Sequence, residues 1–403
     1  MVSKDPRVPQ LDEWRAAKRW NPFNSYKLLA HVSRWREINR NNTPTAPAPV
    51  LITVDPANAC NFDCEWCNAR YIREHRNFML SAKALSGIAK FLPRWGSKNG
   101  SYDPGVKAIC VAGGGEPLLN KATPGFIEEV RAGGVEVGVV TNGSLMHEAL
   151  PALSMCTWVG VSVDAGTSAT FDKLKGLDPS RDSFRRVIDN MARLVEYANG
   201  RETQLGKPHP SYGVSYKFLL YKDNIGEVYR AAKLAKEIGC KSVHFRPAGT
   251  TWDNIGGGKG ITFTSDDVAL FNEQISMALS LDDDRFSVFG VTHKFDSQFG
   301  ISNVFDKCHA VFMTAVIQPP ATKASPKDSF VLGLCCDRRG DESLELLRDC
   351  EDAEYIDAVW GSEKHWAIHD AVDIRRCPRC TYQPHNQIYE QVILRDSMTY
   401  KFI

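Results

Sequence analysis

Three cysteines lie within eight residues of one another in Cys60-Asn61-Phe62-Asp63-Cys64-Glu65-Trp66-Cys67. Thiolates are soft ligands that suit iron–sulfur clusters and zinc. Three of them can wrap three irons of a cubane and leave the fourth iron without a protein ligand, whereas an electron-transfer cluster has four cysteines. An open metal position is what chemistry at a metal needs. The alternatives are a structural zinc site and an electron-transfer cluster with a remote fourth cysteine. Zinc sites usually pair two Cys-x-x-Cys elements, and this triplet stands alone.

A second group lies in the last third: Cys308, the adjacent Cys335 and Cys336, and Cys377-Pro378-Arg379-Cys380. One Cys-x-x-Cys pair with two more distant cysteines can ligate a complete cluster. A Cys₄ zinc site competes with it. Successive side chains on a strand point opposite ways, so the sequence leaves open which of Cys335 and Cys336 is the ligand. Of the remaining cysteines, Cys110, Cys156 and Cys240 sit in apolar runs and read as small buried hydrophobes. Cys350, among charged residues, reads as exposed. His365 and His369, four residues apart, read as a surface pair. Arg338, Arg339 and Tyr382 lie near the second group and read as capping or surface residues.

These residues must be positioned by the elements around them. Short apolar or β-branched runs at 50–54, 106–111, 135–140, 158–163, 213–220 and 242–245 predict strands. Helical periodicity at 81–92, 126–132, 184–197 and 225–238 falls between them. Strands alternating with helices argue for a parallel α/β sheet. Six such units are too few for a closed eight-stranded barrel, so a partial (β/α)6 TIM-like barrel is expected, with chemistry on the loops after the strand ends. The expected domains are an extension over 1–49, the barrel over 50–250, a linker region over 251–303 and a small α+β domain over 304–403. Residues 15–40 mix seven Lys/Arg with tryptophans and other aromatics. They read as an amphipathic helix whose rings pack on the barrel while its charges stay wet. The stretch Asn254-Ile255-Gly256-Gly257-Gly258-Lys259-Gly260 lacks the phosphate-loop spacing and reads as linker.

The triplet, with Trp66 as its aromatic, resembles the Cys-x₃-Cys-x-aromatic-Cys signature of the radical S-adenosylmethionine (SAM) superfamily. Gly114-Gly115-Glu116-Pro117 after the second strand resembles the family's Gly-Gly-Glu element, whose backbone holds the cofactor's amino group. Asn142 after the third strand and Ser162 and Asp164 after the fourth look like the family's further cofactor contacts. The resemblance implies Ser162 and Asp164 for the ribose or methionyl part; Arg246, after the sixth strand, reads either as facing the adenine or the carboxylate or as one half of a surface ion pair. The C-terminal cysteines resemble the auxiliary-cluster domains called SPASM or, in shorter form, twitch. The longer form places a further cysteine where this chain has Asn386, which favours one auxiliary cluster.

The resemblance implies a [4Fe-4S] cluster with SAM as cofactors, and an auxiliary [4Fe-4S] cluster on Cys308, Cys335 or Cys336, Cys377 and Cys380. It implies reductive cleavage of SAM to a 5′-deoxyadenosyl radical that takes hydrogen from a substrate carbon. An auxiliary cluster that accepts the resulting electron makes the net reaction an oxidation. The leading reading is therefore a radical SAM oxidoreductase, a dehydrogenase of a small metabolite, served by a reductant such as a flavodoxin or ferredoxin. A peptide maturase or an epimerase is the second reading, though the first 49 residues are short for a leader-binding domain. A non-catalytic iron–sulfur or zinc protein is the third. The chain has 403 residues, 43% hydrophobic and 24% charged, with 49 Lys/Arg against 48 Asp/Glu. Such balance gives no global pull toward nucleic acid or anionic membrane. With no signal-like start and no bilayer-length apolar run, a cytoplasmic protein is expected.

Overall fold

A computed structural model describes residues 29–41, 46–101, 103–205, 213–248, 263–290, 305–377 and 380–394. Within these, the chain forms two compact units. The first takes its described residues from 60–68 and 138–299, the second from 25–59, 69–137 and 300–403.

In order, the strands are β1 (Leu51–Val54), β2 (Ala108–Val111), β3 (Glu136–Thr141), β4 (Trp158–Ser162), β5 (Gly213–Leu220), β6 (Ser242–Pro247), β7 (Ser287–Gly290), β8 (Thr314–Gln318), β9 (Phe330–Gly333) and β10 (Glu345–Cys350). The six expected strands are β1 to β6. In the first unit Gly138–Thr141 of β3 pairs with β4, and β5, β6 and β7 follow, all parallel. In the second, β1 lies between β2 and β8 and is parallel to both; β9 and β10 extend this side antiparallel. A parallel sheet is covered on both faces, and its strands read as apolar runs for that reason. Ile52, Val54, Val137, Val139, Val161, Tyr216 and Phe218 are accordingly buried.

The helices follow from local signals. Ser81 caps Ala82–Phe91 by accepting from the Ala84 N–H at 3.1 Å, and Leu85, Ile88 and Ala89 turn inward. Burying a leucine or isoleucine there contributes about 1.5–3 kcal/mol.

Several expectations are corrected. Part of 251–303, read as linker, holds the helix Ser265–Leu279 and strand β7. The helix starts at a capping box in which Thr264 and Asp267 exchange hydrogen bonds, a signal present in the sequence. The glycine-rich 254–260 lies outside the described residues. In the N-terminal extension the described helix is only Val32–Trp35. Trp35 packs against His385, in the expected C-terminal domain rather than on the barrel, and Arg34 is buried on Asp103 and the Ala48 and Gly105 carbonyls. His365 and His369 are core residues: His365 Nε2 meets the Val311 carbonyl at 2.9 Å, and His369 Nε2 lies 3.3 Å from His309 Nδ1. Cys350 is buried and Cys110 half-buried. Arg338 is buried against Asp341 rather than exposed.

Candidate functional site

The cysteine loop of the first unit is held from two sides. The helix Ser168–Lys175, capped at its start by Thr167, ends at Gly176 in the left-handed conformation. The carbonyls of Leu174 and Lys175 accept from the Glu65 and Asp63 amides, both at 3.0 Å. A Cβ on Gly176 would sit 2.7 Å from the Asp63 oxygen, so closeness and backbone angle both require glycine. On the other side Asn142 Nδ2 donates to Asn61 Oδ1 at 2.8 Å, and Asn61 Nδ2 donates to Ser144 Oγ at 2.9 Å. Ser144 Oγ closes the ring on Asn142 Oδ1 at 2.7 Å. Asn142, expected to touch a cofactor, therefore anchors the residue after Cys60.

Cys60, Cys64 and Cys67 are half-buried. Burial pushes the Cys64 thiol up to about 11, Lys175 opposes the rise, and Asp164, Cys67 and Cys60 add to it. Thiols held this way become thiolate ligands only when a cation compensates them. Among the described residues no three Cys, His, Asp or Glu side chains converge on one ion; a cubane spreads its thiolates over separate irons instead. The donor set fits such a cluster in its soft chemistry and its number.

Lys175 is buried and paired with the equally buried Asp164. Its Nζ lies 5.4 Å over the Trp66 ring, whose centroid is 5.4 Å from that of Tyr221. Tyr221 in turn donates to Glu65 Oε1 at 2.9 Å. Asp164 sits at φ 61°, and its other oxygen accepts from the Leu219 amide at 2.6 Å. Ser162 is half-buried at the end of β4, opposite Lys217, and Arg246 is exposed on β6.

The Gly-Gly-Glu loop belongs to the second unit. The Gly115 amide donates to the Ala57 carbonyl at 3.1 Å and the Glu116 amide to the Ala59 carbonyl at 2.8 Å. A Cβ on Gly115 would run into that Ala59 oxygen. The buried Glu116 carboxylate accepts from the Leu118 amide at 3.1 Å and so caps the turn that follows.

The C-terminal cysteines of this unit fall into two environments. Burial pushes the Cys308 thiol up to about 11, with Cys377 adding to the rise. Cys335 is held well above the usual range by burial, then by Asp337, Cys336, Cys308 and Cys380. Cys380 is raised by burial and by Cys308, and to a lesser degree by Cys377. Cys308, Cys335, Cys377 and Cys380 thus act on one another. Cys336 instead lies 3.0 Å from the Tyr382 hydroxyl, and Asp337, Arg339 and Asp55 are the charges around it. Arg339 Nε is 2.5 Å from Asp55. Arg338 Nη1 lies 4.0 Å from Cys377 Sγ, and Asn386 Nδ2 donates to Cys380 Sγ at 3.9 Å while Oδ1 accepts from the Ala310 amide at 2.7 Å.

Residues 54–203 match the radical SAM superfamily. They are a radical SAM domain. A relative, the Probable GTP 3′,8-cyclase of Metallosphaera sedula, is 26% identical over 210 residues. The match covers 51% of this chain and 57% of that protein, so the chain spans little over half the relative's length. Streptococcus suis SuiB, solved with SAM, gives a TM-score of 0.55 at 13% identity over 87% of this chain and 75% of SuiB. The structure of anSMEcpe with SAM gives 0.51 at 17% identity over 84% and 89%. These likenesses show the fold, an α/β partial TIM barrel whose sheet does not close. A radical SAM domain implies a [4Fe-4S] cluster and SAM. Among the described residues no helix is long and apolar enough to cross a membrane.

Sequence reasoning about the radical SAM domain missed Lys175, Asn61, Ser144 and Tyr221. A lysine in the last turn of a helix normally faces solvent and complements the helix dipole. Only Gly176, a helix stop, hinted that this helix end abuts something.

Proposed function

We propose that this radical SAM enzyme holds its catalytic cluster on Cys60, Cys64 and Cys67 and an auxiliary [4Fe-4S] cluster on Cys308, Cys335, Cys377 and Cys380, and that it oxidises a small metabolite. The observation that supports the second cluster is that Cys308, Cys335, Cys377 and Cys380, half-buried and from three separate segments, lie close enough for Cys308 and Cys380 to act on Cys335 and Cys377 on both Cys308 and Cys380, while Cys336 lies 3.0 Å from the Tyr382 hydroxyl. A single cluster of four thiolates is complete, and Asn386 supports Cys380 where a longer domain would add a ligand.

When bound, the groups supply an electron for SAM cleavage and an acceptor for the electron that the substrate radical gives up. The chain does the rest. The Gly114-Gly115 backbone packs closely on Asn58 and Ala59, where a Cβ would not fit. Trp66 offers an aromatic face, and Ser162 and Arg246 present polar groups at the strand ends. Cys308, Cys335, Cys377 and Cys380 would hold the cluster that would accept the electron left on the substrate once its hydrogen is removed, with the accompanying proton released to solvent. The peptide-modifying reading draws on SuiB, also solved with its precursor peptide SuiA, but that likeness reaches only the fold.

Anaerobically reconstituted protein given dithionite and SAM is expected to release 5′-deoxyadenosine. With its substrate it is expected to form one oxidised product per SAM. Hydrogen returned from solvent to an unoxidised product would establish an epimerase instead. Silence from fully iron-loaded protein would leave a non-catalytic scaffold.

A further inference from the structure

Lys175 and Asp164 are charged, and their side chains are 2% and 1% exposed, in the unit that carries the cysteine triplet. A buried ion pair is costly to desolvate and is weak evidence for stability alone. This one has a second set of contacts. The Lys175 carbonyl holds Asp63 and the Leu174 carbonyl holds Glu65, so the backbone bearing the ammonium is stapled to the segment between Cys60 and Cys67. The Nζ stands 5.4 Å over the Trp66 ring and 6.0 Å over that of Phe171, which keeps water off it. Its charge acts on both Cys64 and Cys60.

Net charge, hydrogen bonding and solvent exposure set the potential of an iron–sulfur cluster. Reduction adds a negative charge, and a buried cation in a medium of low effective dielectric favours the reduced form. We propose that the Lys175–Asp164 pair is a positioning and electrostatic device that sets the reduction potential of the cluster on Cys60, Cys64 and Cys67, with Lys175 raising it and Asp164 restraining that rise. This rests on the cluster assignment made above.

The pair makes a test with two signs. Lys175→Met removes the cation and leaves Asp164. Asp164→Asn is nearly isosteric, retains an acceptor for the Leu219 amide and leaves the cation unopposed. Lys175→Arg retains the charge. Each full-length protein is reconstituted, assayed for iron and sulfide, and titrated with reductant under electron paramagnetic resonance. The signal that changes on addition of SAM identifies the open-iron cluster.

Lys175→Met is expected to lower the potential and Asp164→Asn to raise it, each by about tenfold in the reduction equilibrium or about 59 mV. Lys175→Arg is expected to stay near wild type. Shifts of the same sign, or none, overturn the proposal and leave the pair structural. If Lys175→Met binds no iron, Asp164→Asn must still rise while Lys175→Arg stays put; any other result also overturns it. Wild-type protein that assembles no SAM-responsive cluster would instead overturn the cluster assignment.

Discussion

The cysteine loop of the first unit and the cysteine set of the second offer the same ligand type from one short loop in the one case and from three separate segments in the other. Three half-buried thiols lie on one short loop, with a lysine ammonium opposing the rise of the Cys64 thiol. In the second unit four thiols come from three separate segments, and burial drives every one of them upward. Around them Arg338 and Asn386 reach toward Cys377 and Cys380. On the proposed assignment, three ligands on a local loop would leave a metal corner for a substrate-like guest, whereas four from separate segments would complete a cluster and leave it electron transfer.

The sharpest way to break this comparison is a cysteine series. Cys60→Ala is expected to abolish 5′-deoxyadenosine release. Cys335→Ala should retain that release while iron falls from about eight to about four per chain and oxidised product is lost. Cys336→Ala should keep the iron, since this thiol faces Tyr382. Iron lost from Cys336→Ala and kept by Cys335→Ala would reverse the ligand assignment.

Gly115→Ala probes the Gly-Gly-Glu loop of the second unit. The added methyl strikes the Ala59 carbonyl, so stability should fall by about 1–3 kcal/mol, the usual cost of overpacking. SAM-dependent cleavage should fall with it while auxiliary-cluster iron stays. Urea unfolding, iron analysis and the 5′-deoxyadenosine assay read the three effects, and unchanged cleavage would remove the loop from the cofactor site.

The smallest effect concerns acid. Burial holds His365 down to about 3, from an ordinary 6.5. Its folded pKa is depressed, so its contribution is fully present above about pH 6.5 and is lost as pH falls toward 3, where the unfolded chain binds the proton and the native one does not. The loss is at most about 1.4 kcal/mol per pH unit. Thermal unfolding at pH 7 and pH 5 should show the decline, and His365→Gln should flatten it. An equally steep decline in that variant would place the acid sensitivity elsewhere.

The strands of the barrel were legible because a parallel sheet buried on both faces favours apolar and β-branched residues, which β1, β2 and β4 carry almost throughout and β3, β5 and β6 carry between polar positions. Strand β7 and the helix before it were obscured by the irregular residues on either side, although Thr264 and Asp267 carried the capping signal. His365 and His369 were misread because an isolated pair among charged neighbours looks wet. Their burial depends on Phe312, which packs against both from another segment, and on Trp360, which covers His365.

Spacing along the chain was enough to nominate Cys60, Cys64 and Cys67, since ligands on a single loop keep their relation wherever that loop is placed. The choice between Cys335 and Cys336 was different. Cys335 is extended and Cys336 begins a tight turn, and only folding brings the Tyr382 hydroxyl to Cys336 and the charges of Cys308 and Cys380 onto Cys335. Lys175 likewise gained its place beside Cys64 through the packing of a distant helix end, a relation that local order does not encode.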